Sequence, residues 1–276
     1  MTSDAPDYDD IFTTCDGQIS PGCPTADAVL DGHSGRPQLR TTTPAISHRA
    51  SFSPMIPPHR TRNPFTFLHP GSFVLFQLDN RELATLIGVP EQSELFQHCL
   101  EFPTKRYPGL VLGSFGGESD PDATPYTIAF VSQSPPPGSG CGGEDDFFAI
   151  PIAPTKPENT NDREPLYPKP FPWIGCYQYT ILGARITPTH TYPSALEYRL
   201  SEEDFEAFEV NFGVDSFATT SFPSQEDEIL FRNMRTLADS FPLPVKVWQE
   251  LGAEQVCQDP RDFVEEVLNF QAACVE

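Results

Sequence analysis

The 276 residues carry 39 Asp and Glu against 17 Lys and Arg, a net charge of −22. Acidity of that size repels phosphate backbones, which are gripped by clustered Lys and Arg, so generic nucleic-acid binding is disfavoured. The length allows one or two domains with a proper core. The 31 prolines, about twice the usual ~5% share, mark part of the chain as unsuited to folding. The 22 phenylalanines predict an aromatic core in the remainder.

The charge is uneven. Residues 201–276 hold four basic and seventeen acidic residues, a net of −13, whereas residues 151–200 are near neutral. Seven cysteines (Cys15, Cys23, Cys99, Cys141, Cys176, Cys257 and Cys274) form no CxxC pair, and an odd, scattered set is no disulfide framework. The start, Met1-Thr-Ser-Asp, lacks the basic residues and apolar run of a secretory signal, and no apolar stretch approaches a membrane span. The expectation is an intracellular protein, cytoplasmic or nuclear, with reduced thiols and no membrane partner.

Residues 1–62 are rich in Ser, Thr, Pro, Asp and Gly without hydrophobic period, which predicts a disordered tail. Within it, Ser20-Pro21, Thr43-Pro44 and Ser53-Pro54 suit a proline-directed kinase or are chance dipeptides. A single domain is expected over 63–276, with Pro/Gly-rich insertions at 132–145 and 153–170. Phe73–Phe76 reads as a strand, and Asp79 or Asn80 can cap a helix over Arg81–Ile87. Glu91–Leu100 reads as a second helix with Leu95, His98 and Cys99 on one side. Adjacent helical residues point about 100° apart, so His98 and Cys99 are not a thiol–imidazole couple. Phe102–Gly109 then leads into a strand at Leu110–Leu112. Gly113–Gly117 is followed by Glu118-Ser119-Asp120, where a phosphate loop needs Lys-Ser/Thr, so it reads as a turn.

Tyr126–Val131 and Phe147–Ile152 are strand candidates, joined by a Pro/Gly connector whose three prolines could also dock on a proline-reading domain. Trp173, Tyr177 and Tyr179 alternate, which predicts one face of a strand, with Gly175 allowing a close approach or a bulge. Ser201 opens a helix that carries Phe205, Phe208 and Phe212 on one face and is expected to end at Gly213. Ser224 opens another, running to about Ala238, with Leu230, Met234 and Leu237 inward. Pro242 and Pro244 break it, and Val245–Leu251 reads as a further turn or two. Asp259-Pro260 starts a terminal helix with Phe263, Val267 and Phe270 as its buried stripe. The fold class is therefore α+β: a mainly antiparallel sheet, open to closing as a barrel, with a helical C-terminal layer.

Trp173-x-Gly175-x-Tyr177, followed by Leu200-Ser201-x-x-Asp204-Phe205 and preceded by Phe102-Pro-Thr-Lys-Arg-Tyr-Pro-Gly109, resembles a family of uncharacterised fungal proteins, chiefly from mushroom-forming fungi. The resemblance covers about residues 95–276. It implies a fold and a lineage but no activity.

Two functions compete. The first is a non-catalytic interaction module whose acidic helices, 202–212 and 225–239, face a basic protein partner. The second is recognition of nucleic acid or a nucleotide by an aromatic and basic sheet face. Its candidates are Lys105 and Arg106, the chain's only adjacent basic pair, with Tyr107, Trp173, Tyr177 and Tyr179. An enzyme is not expected. G-x-S-x-G is absent, and the six histidines show no metal-binding spacing. No catalytic residue, metal or cofactor is assigned, and the oligomeric state is left open.

Overall fold

The computed structural model describes residues 67–114, 124–136, 148–155, 163–168, 171–216, 222, 224–239 and 241–274. The Ser/Thr/Pro-rich tail with its Ser-Pro and Thr-Pro dipeptides, the second half of Gly113–Gly117, most of the 134–143 connector and Phe147 lie outside them. The described residues belong to one unit, Ser53–Glu276.

Among the described residues the α-helices and strands follow in the order β1 (Phe73–Leu78), α1 (Asn80–Leu86), α2 (Glu94–Leu100), β2 (Tyr107–Ser114), β3 (Tyr126–Ser132), β4 (Ala149–Pro151), β5 (Tyr177–Tyr192), α3 (Glu202–Asp215), α4 (Gln225–Asp239), β6 (Leu243–Trp248) and α5 (Pro260–Ala273), with a 3-10 turn at Leu251–Ala253 between β6 and α5. The fold is α+β. The sheet order is β3-β2-β1-β6-β5-β4, and β3 also pairs with β5, which closes five strands into a barrel and leaves β4 as an extra strand on β5. All pairs are antiparallel except β5–β6. A parallel pair needs a long crossover, and α3 with α4 supply it.

Helix starts follow local chemistry. Side chains of Asp79, Ser93, Ser201 and Asp259 accept from the amides of Glu82, Phe96, Asp204 and Arg261 respectively. Pro260 occupies the first turn of α5, as expected.

Several expectations change. Val245–Leu251 is not helical up to Trp248. Leu243, Val245 and Val247 are buried while Lys246 and Trp248 are only partly so, and this period of two makes β6 a strand despite Pro244 near its start. Trp173 is not on the strand of Tyr177 and Tyr179, because Gly175, at φ +72°, turns the chain before β5 begins. α3 continues past Gly213 to Asp215. α2 begins after Ser93 and buries Phe96 with Cys99, leaving His98 exposed. Seven residues are too few for periodicity to fix a face.

Two apolar cores lie on opposite faces of the strands. The larger contains Val74, Phe76, Tyr107, Val111, Ile128, Phe130, Val245 and Val247 with Met234, Phe263 and Phe270 from the helices. It draws on all five barrel strands and is the inside of the barrel, while the opposite face of β1 and β6 carries the half-buried Gln77, Lys246 and Trp248. Phe263 packs edge-on against Phe76, Tyr107 and Phe130 at 5.1, 5.2 and 6.0 Å between ring centroids. The smaller core joins Phe73, Leu75, Leu110 and Val131 to Trp173, Cys176, Tyr198, Leu200 and Phe208.

β5 changes sides along its length. Ala129 pairs with Gly183 but Val131 with Gln178, so extra β5 residues bulge between them. Tyr179 at the start of the bulged segment, Leu182 at its end and Ala184 and Ile186 beyond it consequently all enter the larger core. At Gly183 the strands press close: an added Cβ would lie 2.1 Å from the Ile128 carbonyl oxygen. Gly183→Ala is predicted to lower unfolding stability by about 2–3 kcal/mol through overpacking. Gly213→Ala, in an exposed helical position with nothing within 4 Å, is predicted to raise it by roughly 0.5–1 kcal/mol. Urea melts of the two variants check both signs.

Candidate functional site

Lys105 and Arg106 lead into β2, which Tyr107 opens, and their side chains diverge. Lys105 donates from Nζ to Asp262 Oδ2 at 2.6 Å and from its amide to Glu266 Oε1 at 3.1 Å. Its bond to Asp262 holds the ammonium above its ordinary pKa. Tyr107, fully buried, donates its hydroxyl to Glu266 Oε1 at 2.6 Å. Burial first, then the Glu266 carboxylate, push this phenol well above its usual range. Glu266 is itself raised by desolvation, against the opposing hydrogen bonds from Tyr107 and Lys105. Two of the three residues thus pin α5.

Arg106 goes the other way, toward Trp248. Its guanidinium lies 4.1 Å from the Trp248 ring centroid, and Nη1 donates to Glu254 Oε1 at 3.0 Å. Tyr192 stacks on Trp248 at 4.9 Å and 11°, and His190 is near-parallel to Tyr192 at 6.5 Å. The β5–β6 register places Tyr192 beside Trp248 and His190 beside Lys246. An aromatic and basic outer face therefore exists, with Arg106 as its one member from the sequence candidates.

The remaining candidates are dispersed. Trp173 is buried, with Phe171 edge-on at 5.5 Å and its Nε1 donating to the Glu254 carbonyl at 3.3 Å. Tyr179 is fully buried, donates to the Ser134 carbonyl at 2.9 Å, and has its pKa pushed up by desolvation. Tyr177, at the start of β5, packs partly buried against the larger core. Trp173, Tyr177 and Lys105 share no open cleft.

Sequence reasoning also missed three polar arrangements. Arg163 meets Asp215 through two bonds of 2.7 Å, with Thr180 donating to the same carboxylate, so the 163–168 segment, α3 and β5 are tied by a largely buried ion pair. Glu250 accepts from Tyr198 at 2.5 Å, Ser194 at 2.7 Å and the Gly252 amide at 2.9 Å. Four cysteines meet in pairs, described below. None of these has a local sequence signal, since each joins residues far apart in the chain. The Trp248 face did have one: the alternation in Leu243–Trp248.

The acid-rich helices differ from one another. On α4, Arg232 donates to Glu228 at 2.6 Å one turn away, and Arg235 follows it, so charge is mixed. α3 contains no basic residue. It buries Phe208 and part of Phe205 and Phe212 in the smaller core and exposes Glu202, Glu203, Glu206 and Glu209. On the same outer side, Glu203, Ala207, Val210 and Val214 succeed one another at helical spacing, the two valines each 67% exposed. A shallow groove beside the helix is lined by Leu112, Gly113, Thr127, Phe208, Glu209 and Phe212.

Among the described residues no group of three or more His, Cys, Asp or Glu is placed to hold a metal ion, and no helix is long and apolar enough to cross a membrane. His98 is exposed on α2 and His190 lies 3.8 Å from Asp79.

Hydrogen bonds from Tyr198 and then Ser194 hold the Glu250 carboxyl below its ordinary value of 4.5. A carboxyl lowered in this way contributes stability above its unfolded pKa and loses that contribution as pH falls through the folded one. The urea midpoints of wild type and Glu250→Gln are predicted to differ most near about pH 6 and to converge toward about pH 3.

Comparison with protein-family models, with curated proteins and with solved structures finds no match for this chain.

Proposed function

We propose that the chain is a non-catalytic interaction module, working inside the cell in cytoplasm or nucleus, that takes a basic amphipathic protein segment along α3. The observation that carries this reading is the pair of exposed valines, Val210 and Val214, lying among Glu202, Glu203, Glu206 and Glu209 on a helix without a single Lys or Arg. Acidic side chains alone form an ordinary solvated face. Two apolar side chains in the same line give a partner surface to bury, while the carboxylates steer Lys or Arg to either side of it. The helix is anchored from beneath by Phe208 and by Asp215 with Arg163, so the face is presented on a rigid element.

A helical peptide with Leu and Lys at alternating helical faces is the probe, titrated against the full chain. Val210→Asp with Val214→Asp is predicted to weaken binding by about tenfold or more without changing the melting temperature. Glu203→Lys with Glu206→Lys is predicted to slow association and flatten its salt dependence. Binding that vanishes with added salt and ignores the valine substitutions would reduce the proposal to generic charge attraction.

A second reading rests on the other surface. His190, Tyr192, Lys246, Trp248 and Arg106 together offer rings and cations of the kind that track single-stranded nucleic acid, and Tyr192 is 41% exposed. Against it, Arg106 is already engaged by Glu254. If this reading holds, an oligothymidine binds at low salt and Tyr192→Ala with Lys246→Ala abolishes the signal; no low-salt binding by wild type removes it.

A further inference from the structure

Four of the seven cysteines, distant in sequence, converge at the two ends of α5. At its C-terminal cap, Cys274 lies with its Sγ 3.2 Å from that of Cys99 on α2, 175 residues earlier. Just before its start, Cys257 lies beside Cys176, which precedes β5, in the smaller core. The pairs differ in access. Cys176 and Cys257 are both buried in the smaller core, whereas Cys99 is buried and Cys274 is partly open to solvent.

We infer that Cys99 and Cys274 are an oxidisable dithiol which, by exchange with a small-molecule disulfide such as oxidised glutathione, closes into a disulfide joining α2 to the end of α5. The sulfurs need to approach by only about 1 Å to reach bonding distance. Cys274, the accessible member, attacks one sulfur of the small disulfide as its thiolate, forming a mixed disulfide and releasing the first small thiolate. Cys99, on losing its proton, attacks the Cys274 sulfur and displaces the second. The two cysteines lose two electrons, and the small disulfide gains them and leaves as two thiols carrying the two protons. Burial and the Cys99 neighbour push the Cys274 thiol up to about 12, so the exchange is slow at neutral pH. Such a bond fixes α5, whose Phe263 and Phe270 fill the barrel core.

The full reduced chain is incubated with oxidised glutathione at about pH 8.5, quenched in acid, alkylated in denaturant and digested for mass spectrometry. Expected are a Cys99–Cys274 linked peptide lacking two hydrogens, alkylated Cys176 and Cys257, and a melting temperature raised by roughly 5–15 °C. Cys274→Ser, at the partly exposed end of the helix, should leave Cys99 alkylated and free of glutathione, because the attacking thiol is gone. The inference is overturned if Cys99 and Cys274 are alkylated as fully as Cys176 and Cys257, if Cys274 is joined to another cysteine, or if the linked peptide forms equally in the urea-unfolded chain.

Discussion

The barrel exists because one strand is shared three ways. β5 pairs with β4 and β3 near its start and with β6 near its end, and at Gly183 it passes so close to the Ile128 carbonyl that a methyl group has no room. Without that approach, β3 and β5 would each present an open edge with unpaired amides and carbonyls. Closure instead places the alternate residues of five strands inward, where Phe76, Tyr107 and Phe130 meet Phe263 of α5. The last helix is thus part of the barrel's filling as well as its cover.

Five of the seventeen acidic residues of the last quarter tie it to earlier parts of the chain. Asp215 engages Arg163, Glu250 takes Tyr198 and Ser194, Glu254 holds Arg106, and Asp262 with Glu266 holds Lys105 and Tyr107. These contacts knit the C-terminal elements to strands and loops contributed earlier in the chain. What remains outward and unbalanced is concentrated on α3, which carries no Lys or Arg to offset its exposed carboxylates. The mixed charge of α4 and its i,i+4 pair set it apart, although its first turn is as acidic.

Lys105 and Arg106 show how adjacency in sequence misleads. As neighbours they suggest a basic patch, yet their side chains go to different partners, one to α5 and the other to Trp248. A period of two puts Trp173 on one face with Tyr177 and Tyr179, but the positive φ of Gly175 separates it from them before the strand begins. Both rings are buried, and the aromatic and basic face that forms on β5 and β6 draws instead on His190, Tyr192 and Trp248, brought together by the parallel crossover.

Local chemistry made the helix starts legible: Asp79, Ser201, Ser224 and Asp259 announce them because a side-chain oxygen beside a free amide is a contact within three residues. The alternating apolar strands, the α+β class and the phenylalanine stripes of α3 and α5 were legible for the same reason, since periods of two and 3.6 are read within one segment. Closure of the barrel, the parallel pairing of β6 with β5, the Arg163–Asp215 pair and the meeting of Cys99 with Cys274 were decided only by tertiary structure. Each joins residues from separate elements, and a chain read along its length holds no record of which distant groups will share a place once the core has formed.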